Sequence, residues 1–387
     1  MIAVRAATDR SARRRTVLHP AKDLQGIDCP TTLATIWRGS MGVIAQIGYG
    51  YWGPNLARNL QSEAGGDWRY LIEKSPERRA VAAATYPHIR VVDELDAVLS
   101  DPDVTSVIVA TPAVTHAALA RRALLADKHV LVEKPLALTT ADAVDLASTA
   151  DRRGLVLMVG HTFEFVPAVR AMREIILSGA IGSPLYLHSQ RLNLGRIQND
   201  VNAFWSIGPH DVSIANFLFG TAPEWVSAQG ARYLNADVED VVIVTLGYPG
   251  GVLASLHVSW LDPLKTRRVT VVGSQRMLVY DDLDAEARLK IFDKGADRYG
   301  PTAYGAWQYR LRDGSIEVPR LDLTEPLAAE IGHFLECVRI GKRPDTDGWN
   351  GARVVAVCEA IDQSLAAEGM RTPVSAPTAP EGPVTRA

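Results

Sequence analysis

Val43-Ile-Ala-Gln-Ile-Gly-Tyr-Gly-Tyr-Trp-Gly-Pro-Asn55 decides how this chain is read. Residues 43–47 have the length and apolar character of a short buried strand. Three glycines follow, Gly48, Gly50 and Gly53, and Pro54 opens a helical stretch where its missing N–H has no partner to lose. An acidic residue, Glu73, ends the next strand-like run, 20 positions after Gly53. In that context the glycines have separate tasks. Gly48 permits a tight turn, Gly50 lets backbone approach a pyrophosphate, and Gly53 lets helix and strand pack closely. Free N–H groups at the helix start face the diphosphate, with Tyr51 and Trp52 in the same turn. Glu73 can accept hydrogen bonds from both ribose hydroxyls and would repel a 2′-phosphate, which favours NAD. Lys74 and Arg78 lie near enough in sequence to leave NADP open.

Outward from this turn the chain alternates. Strand-like runs at 68–73, 88–92, 106–110, 129–132 and 155–159 are separated by helical stretches at 76–84, 113–126 and 140–152. Such alternation predicts right-handed βαβ units and a parallel sheet. After Gly160 the rhythm changes. A helix at 167–178, a long strand at 184–194 and a helix at 209–219 precede a strand-rich segment at 224–292. Pro249-Gly250-Gly251 joins two of its strands as a hairpin, so this part predicts a mostly antiparallel, open sheet. Residues 296–315 read as an irregular insertion, and helices at 325–339 and 351–368 close the fold. The expected division is an N-terminal extension at 1–40, a dinucleotide-binding domain at 41–160, an α+β substrate and oligomerisation domain at 161–372, and a disordered tail at 373–387.

The 387 residues suffice for two domains, each with its own core. A net charge of −3 gives no reason to expect nucleic acid or an anionic membrane as partner. No apolar run reaches the roughly 18 residues of a spanning helix. Cys29, Cys337 and Cys358 have neither metal-ligand spacing nor a paired secreted framework, so no metal is expected and a cytoplasmic, reducing location is. The arginines at positions 5, 10, 13, 14 and 15 suggest a presequence, but Asp9, Asp23 and Asp28 speak for a plain extension before Met41.

Glu133-Lys134-Pro135 follows a buried run. Together with the glycine turn, Ala110-Thr111-Pro112 with His116, and Glu325-Pro326-Leu327, it resembles the glucose–fructose oxidoreductase / inositol dehydrogenase / rhizopine catabolism (Gfo/Idh/MocA) family. Gly160-His161-Thr-Phe-Glu-Phe165 is similar to a branch acting on nucleotide-activated sugars, such as UDP-N-acetylglucosamine 3-dehydrogenases. The resemblance covers residues 42–370. It implies a Rossmann domain followed by an open-faced α/β domain, with Thr111, Pro112, His116, Glu133 and Lys134 along the cofactor and Lys134 reaching the reacting hydroxyl. Homodimers or homotetramers built on the second sheet are implied as well. Physically, a lysine beside an oxidised nicotinamide is pressed toward its neutral form by desolvation and by the ring's charge.

In the family a histidine at the position of His210 follows an aspartate four residues earlier. Here that position is Ser206, which brings no negative charge. If Pro209 starts a helix, the positive end of the helix favours a neutral His210, the state a proton acceptor needs. Asp211 in the same turn reads as structural. His161 either touches the nicotinamide side or fills the hinge. Arg191 and Asn193 end a long strand facing the expected cleft, where Arg191 and Arg196 would suit a phosphate or carboxylate on the substrate. Trp205 is either a sugar platform or core, while His129, His257 and Trp260 read as structural. The catalytic pair expected is Lys134 with His210, removing the hydroxyl proton of a secondary alcohol on a nucleotide-activated or phosphorylated sugar, most naturally at C3. The alternatives are a cyclitol dehydrogenase of the same fold and a cofactor-binding protein without turnover.

Overall fold

The computed structural model describes residues 42–195, 197, 201–234, 236–299 and 308–380. The N-terminal extension, Cys29, Arg196 and the last part of the tail lie outside the described residues. The first domain runs β1 (Val43–Ile47), α1 (Gly53–Glu63), β2 (Trp68–Ile72), α2 (Pro76–Thr85), β3 (Arg90–Val92), α3 (Leu95–Leu99), β4 (Val104–Val109), α4 (His116–Leu125), β5 (His129–Glu133), α5 (Thr140–Arg153) and β6 (Leu157–Gly160). The strands pair in parallel in the order β3-β2-β1-β4-β5-β6. Every residue of β1 is buried, as a central strand covered on both faces requires. Chain order reverses between β1 and β4, which opens a crevice at their carboxyl ends where such sheets bind ligands.

The second part contains α6 (Pro167–Leu177), β7 (Pro184–Leu194), α7 (Ala203–Ile207), α8 (Pro209–Phe219), β8 (Trp225–Ala231), β9 (Val241–Gly247), β10 (Leu253–Ser259), β11 (Leu261–Gly273), β12 (Met277–Asp281), β13 (Leu289–Tyr299), β14 (Gln308–Glu317), α9 (Pro326–Ile340), α10 (Gly348–Ala366) and β15 (Thr372–Pro373). Its nine-stranded sheet has the order β14-β13-β12-β11-β7-β10-β9-β8-β15. Among the described residues only the β7–β10 pairing of this sheet is parallel. Along β10, Ala254, Leu256 and Val258 are buried, so Ser255 and His257 face outward; Trp260 belongs to the core.

Three expectations need correction. Residues 296–315 are not irregular where described: they extend β13 and β14 into a long two-stranded ribbon. Its polar sequence hides the pattern because cross-strand ion pairs replace apolar ones. Lys294 pairs with Asp313, and Arg312 with Asp293 and Asp297. The segment after Arg371 is not free where described: Thr372 and Pro373 pair with β8, the Val374 N–H donates to Glu224, and Arg371 lies 4.0 Å over the Trp225 ring. Nor does all of the segment 161–372 pack within the second domain.

Helix α9 returns to the first domain. Leu327, Ile331, Phe334 and Leu335 join a core with Ile44, Leu56, Leu60 and Leu71. Glu325 at its start takes a forked ion pair from Arg58 on α1, at 3.0 and 2.6 Å. The link to α10 then covers the edge of β6: the Val159 N–H donates to the Thr346 carbonyl and the Thr346 hydroxyl donates to the Val159 carbonyl, each at 2.8 Å. Gly348 and Gly351 let α10 press against α5 and β6, since a Cβ at either would strike Leu157 or Val159 within 2.7 Å. Phe334→Ala is therefore expected to destabilise the first domain by about 3–5 kcal/mol. Urea unfolding followed by circular dichroism measures this, and a loss below about 1 kcal/mol would show that α9 docks only loosely.

Candidate active site

The cofactor cradle is built from backbone. Gly48 has φ +99°, and a Cβ there would sit 2.4 Å from the Ala110 carbonyl on the neighbouring strand end. A Cβ on Gly53 would meet the Gly48 carbonyl at 2.7 Å. On Gly50 it would approach only Arg78, at 3.4 Å, so the surface above this residue is open. Gln46, fully buried, ties the turn together by donating to the carbonyls of Gly48 and Gly53 at 2.9 and 3.0 Å. The Glu73 carboxylate accepts from the Tyr49 and Ser75 N–H groups at 2.8 and 2.9 Å, with Arg78 at 3.8 Å. It thus braces the turn as well as standing at the end of β2, where a ribose would lie. Tyr51 and Lys74 are exposed and Trp52 is half-exposed.

A dinucleotide whose diphosphate sits on α1 and whose adenosine ribose reaches Glu73 must run its other half over β4 and β5, across the switch point. Four sequence-predicted residues line that path. Thr111 hydrogen-bonds Thr115 at 2.7 Å, and Pro112 starts the turn into α4. Glu133 and Lys134 end β5, with the Lys134–Pro135 peptide cis. His116 has another role than cofactor contact. Its two ring nitrogens face the Pro135 and Thr111 carbonyls at 2.7 and 2.8 Å, so it clips the two cofactor loops together and leaves no nitrogen for a ligand.

On the facing side, α7 ends at Gly208 and α8 begins with Pro209, which puts His210 at the lip. The Lys134 ammonium donates to the Ser206 carbonyl at 2.7 Å, so an amine of the first domain rests on the backbone of the second. Burial pushes the Lys134 pKa down; Glu133 opposes this and Arg191 adds to it. His210 is held well below its usual value by burial and then by Lys134, Arg191, His161 and Arg267. Its Nδ1 is buried without a partner, and its ring lies 4.8 Å from that of Phe163. His161 is 1% exposed, neither ring nitrogen has a partner, and burial with Lys134 lowers its pKa to about 3. Lys134, His161 and His210 thus form one cluster in which both imidazoles are neutral near pH 7.

Arg191 differs from expectation. Rather than presenting a free fork to the substrate, it spends Nε and Nη2 on Asp211 at 2.7 and 3.2 Å and stacks 4.3 Å over Phe163. Ser189 donates a third bond to Asp211 at 2.7 Å. The pair is 7% and 2% exposed. It fixes the first turn of α8 to β7, and with it the ring of His210. Asn193 follows on the same face of β7 as Arg191. Trp205 is core, its indole N–H donating to Asp362 at 2.6 Å. His129 accepts from the Val156 N–H at 2.9 Å. Among the described residues no group of three or more metal-ligating side chains is found.

Sequence reasoning passed over Gln46, Phe163, Glu164 and Glu330. A buried glutamine before a glycine turn leaves no pattern of its own. A charged residue within an apolar helix face, as Glu330 is in Leu327-Ala-Ala-Glu-Ile331, was a usable sign.

Comparison with known proteins agrees with this architecture. Residues 43–161 match the model of an oxidoreductase family with an NAD-binding Rossmann fold, and residues 169–279 match the GFO/IDH/MocA C-terminal domain. This chain belongs to the Gfo/Idh/MocA oxidoreductases. Among its relatives, the UDP-N-acetylglucosamine 3-dehydrogenase of Acidithiobacillus ferrooxidans is 30% identical over 74% of this chain and 86% of the relative. The solved structure of that enzyme covers 84% of this chain and 98% of its own, with TM-score 0.72 and 28% identity. The D-apiose dehydrogenase of Paraburkholderia graminis is 26% identical over 87% of this chain and 89% of its own. A levoglucosan dehydrogenase solved with NADH and L-sorbose shares the fold at TM-score 0.73 and 20% identity, covering 86% of this chain and 98% of its own. The protein is an NAD-binding oxidoreductase, and the Gly48–Gly53 cradle, open above Gly50, fits that cofactor.

Asp211→Asn leaves the Arg191 cation buried without a counter-charge. The expected loss is about 3–5 kcal/mol of stability. Chemical denaturation reads it directly; a change under about 1 kcal/mol would mean the pair is solvated in solution.

Proposed function

We propose that this protein oxidises a secondary alcohol of a sugar, most naturally C3 of a nucleotide-activated or phosphorylated one, with NAD as hydride acceptor. The observation that carries this reading is the Lys134 amine, pressed toward neutrality, resting on the Ser206 carbonyl in one cluster with a neutral His210. The nicotinamide, when bound, supplies the hydride-accepting carbon. The remaining work belongs to the chain. Neutral Lys134 takes the hydroxyl proton as the C–O bond gains carbonyl character, and His210 receives a hydrogen bond from the same or the neighbouring hydroxyl. In the reducing direction both return protons. The likeness to the UDP-N-acetylglucosamine enzyme supports an activated amino sugar. Glu73 at the end of β2, held in place by the Tyr49 and Ser75 N–H groups, supports NAD as the cofactor.

One observation favours a second reading. With Arg191 bound to Asp211, its fork is not free to clamp a diphosphate. That suits an unactivated sugar or a cyclitol, and the D-apiose enzyme is a relative. The outward face of the nine-stranded sheet carries Tyr186, Ile243 and Leu253, which are 48%, 52% and 43% exposed. It supports a homo-oligomer built on that face, in a cytoplasmic enzyme.

Turnover of NAD with UDP- and dTDP-sugars, free sugars and cyclitols, followed by NADH absorbance, tests these readings. Reaction with activated sugars alone supports the first, reaction with free sugars or cyclitols alone the second, and reaction with none overturns both. Lys134→Arg cannot lose its proton and is expected to lower kcat by about 10²–10⁴-fold with NAD affinity kept. In the parent enzyme kcat/KM for oxidation should rise with pH, because Lys134 is neutral above its depressed pKa. An unchanged kcat in Lys134→Arg would remove the lysine from the mechanism.

A further inference from the structure

The second sheet carries two like charges at its cleft end for which the hydride-transfer scheme has no use. The register of β7 and β11 sets Arg267 directly opposite Arg191, in line with the pairs Ser189–Val269 and Leu187–Val271. Residues so paired emerge on one face. It is the inner face, since Leu187, Ser189, Val269 and Val271 are all buried. Arg267 stands at the end of that row. Val269 and Val271 are 2% and 0% exposed, whereas the Arg267 side chain is 39% exposed. The cover over β11 therefore ends between Val269 and Arg267, level with Arg191, which holds Asp211 in the first turn of α8. Beyond Arg267 the strands part. Thr266 pairs with Leu192 but the next pair is Leu261 with Leu194, so β11 bulges and exposes Pro263, Leu264 and Lys265.

Like charges directly opposite on neighbouring strands are unfavourable unless anions answer them. Each arginine has its own aspartate, and among the described residues no carboxylate pairs with both. Arg191 gives Nε and Nη2 to Asp211 from α8. Arg267 gives Nη1 to Asp282, at 3.2 Å, from the end of β12 on the far side of β11. Asp282 is fixed in turn by the Tyr280 hydroxyl at 2.8 Å and by its own N–H, which donates to the Arg267 carbonyl at 2.9 Å. The two arginines differ in what they leave over. Arg191 is 8% exposed by its side chain and stacked on Phe163. Arg267 spends one nitrogen on Asp282 and keeps Nε and Nη2 outside that bond, on a side chain that reaches solvent. Both charges bear on the reacting centre: after burial and Lys134, Arg191 and to a smaller extent Arg267 hold the His210 pKa down.

We propose that Arg267 receives an oxyanion carried by the sugar, a phosphoryl or carboxylate group, while Arg191 lends its charge without giving up Asp211. The planar fork of an arginine matches either anion. Arg267 is thereby, on the reading of the protein as a sugar dehydrogenase, the residue that selects charged over neutral sugars. The occupied fork of Arg191 then no longer speaks against a charged substrate, because the cation that binds it stands one strand further across the sheet. The anion supplies the negative charge that the two arginines lack between them, and it anchors the sugar on the side of the cleft where His210 stands. A neutral sugar or cyclitol gains nothing from Arg267.

Titration calorimetry of the intact protein saturated with NADH, which keeps anions off the glycine turn, measures the binding of glucose, glucose 1-phosphate, UDP-glucose and glucuronate. At least one of the three anions is expected to bind more tightly than glucose. Preference for glucose 1-phosphate or UDP-glucose identifies a phosphoryl group, and preference for glucuronate a carboxylate. Arg267→Met should weaken the preferred anion by about 10–100-fold and leave the affinities for glucose and NADH as they were. Arg267→Lys keeps the charge but loses the fork, and should recover part of that loss. Unchanged NADH affinity in both variants shows that the fold is intact. The anion site is overturned if no anion binds more tightly than glucose, if Arg267→Met leaves the preferred anion unmoved, or if glucose weakens equally. Turnover is read apart from binding. An anion site without oxidation of any sugar counts against the dehydrogenase reading and not against Arg267, while oxidation of neutral sugars alone upholds the enzyme and overturns the anion site.

Discussion

Removal of charge from water at the seam between the two sheets governs this protein. The carboxyl ends of β5, β6 and β7 meet α7, α8 and α9 there, and the groups they carry are an amine, two imidazoles, four carboxyls and one arginine. None is deep in a purely apolar core, yet each is screened enough for its neighbours to set its ionisation. Lys134, His161 and His210 move toward neutrality, as do Glu133, Glu164 and Glu330, while Arg191 is paired with Asp211. A hydride donor and acceptor can be aligned by any rigid crevice. What this seam adds is two imidazoles that are unprotonated at neutral pH and a lysine whose pKa burial lowers.

The backbone makes the seam rigid. Helix α9 belongs by sequence order to the second part and by packing to the first, and α10 runs from the edge of β6 into contact with β8 and α8. The two sheets are therefore joined by buried side chains as well as by the covalent crossover at Gly160. Glu330 and Asn350 reach the seam because these helices do, and Thr346 seals β6 for the same reason. An enzyme with independent halves would have to assemble such a cluster at every closure. Here most of it stands assembled, and the motion left to catalysis is entry of cofactor and sugar.

What was legible in the sequence follows from how local each signal is. The glycine turn could be read because strand, turn, helix and Glu73 all fall within about thirty residues and each has a steric or electrostatic reason for its position. The alternation through residue 160 and the long runs of β7 and α8 were equally local. The return of α9 was not, since its apolar face reads the same whichever sheet it covers. The β13–β14 ribbon was missed because ion pairs across strands leave no apolar alternation. Within the site, Lys134 and His210 stood out by chemical type and context. Arg191 was read as a free fork because its partner, Asp211, is twenty residues away, and contact between a strand and the next helix but one has no periodic trace. Gln46, Phe163 and Glu330 matter only through what they touch.

Ser206 is the departure from the family pattern that the sequence left open, and the geometry gives it a physical sense. An aspartate at this position would bring a negative charge beside Lys134 and His210, favouring their protonated forms. The chain instead presents a main-chain carbonyl from the same residue, which accepts a hydrogen bond from the amine without supplying a full charge. Asp211 is consumed by Arg191, which leaves Glu133 to oppose, without cancelling, the effect of burial on Lys134. The dyad of the family gains basicity by pairing imidazole with acid. Here the lysine is held toward its basic form by burial, and the serine side chain adds no charge that would oppose this.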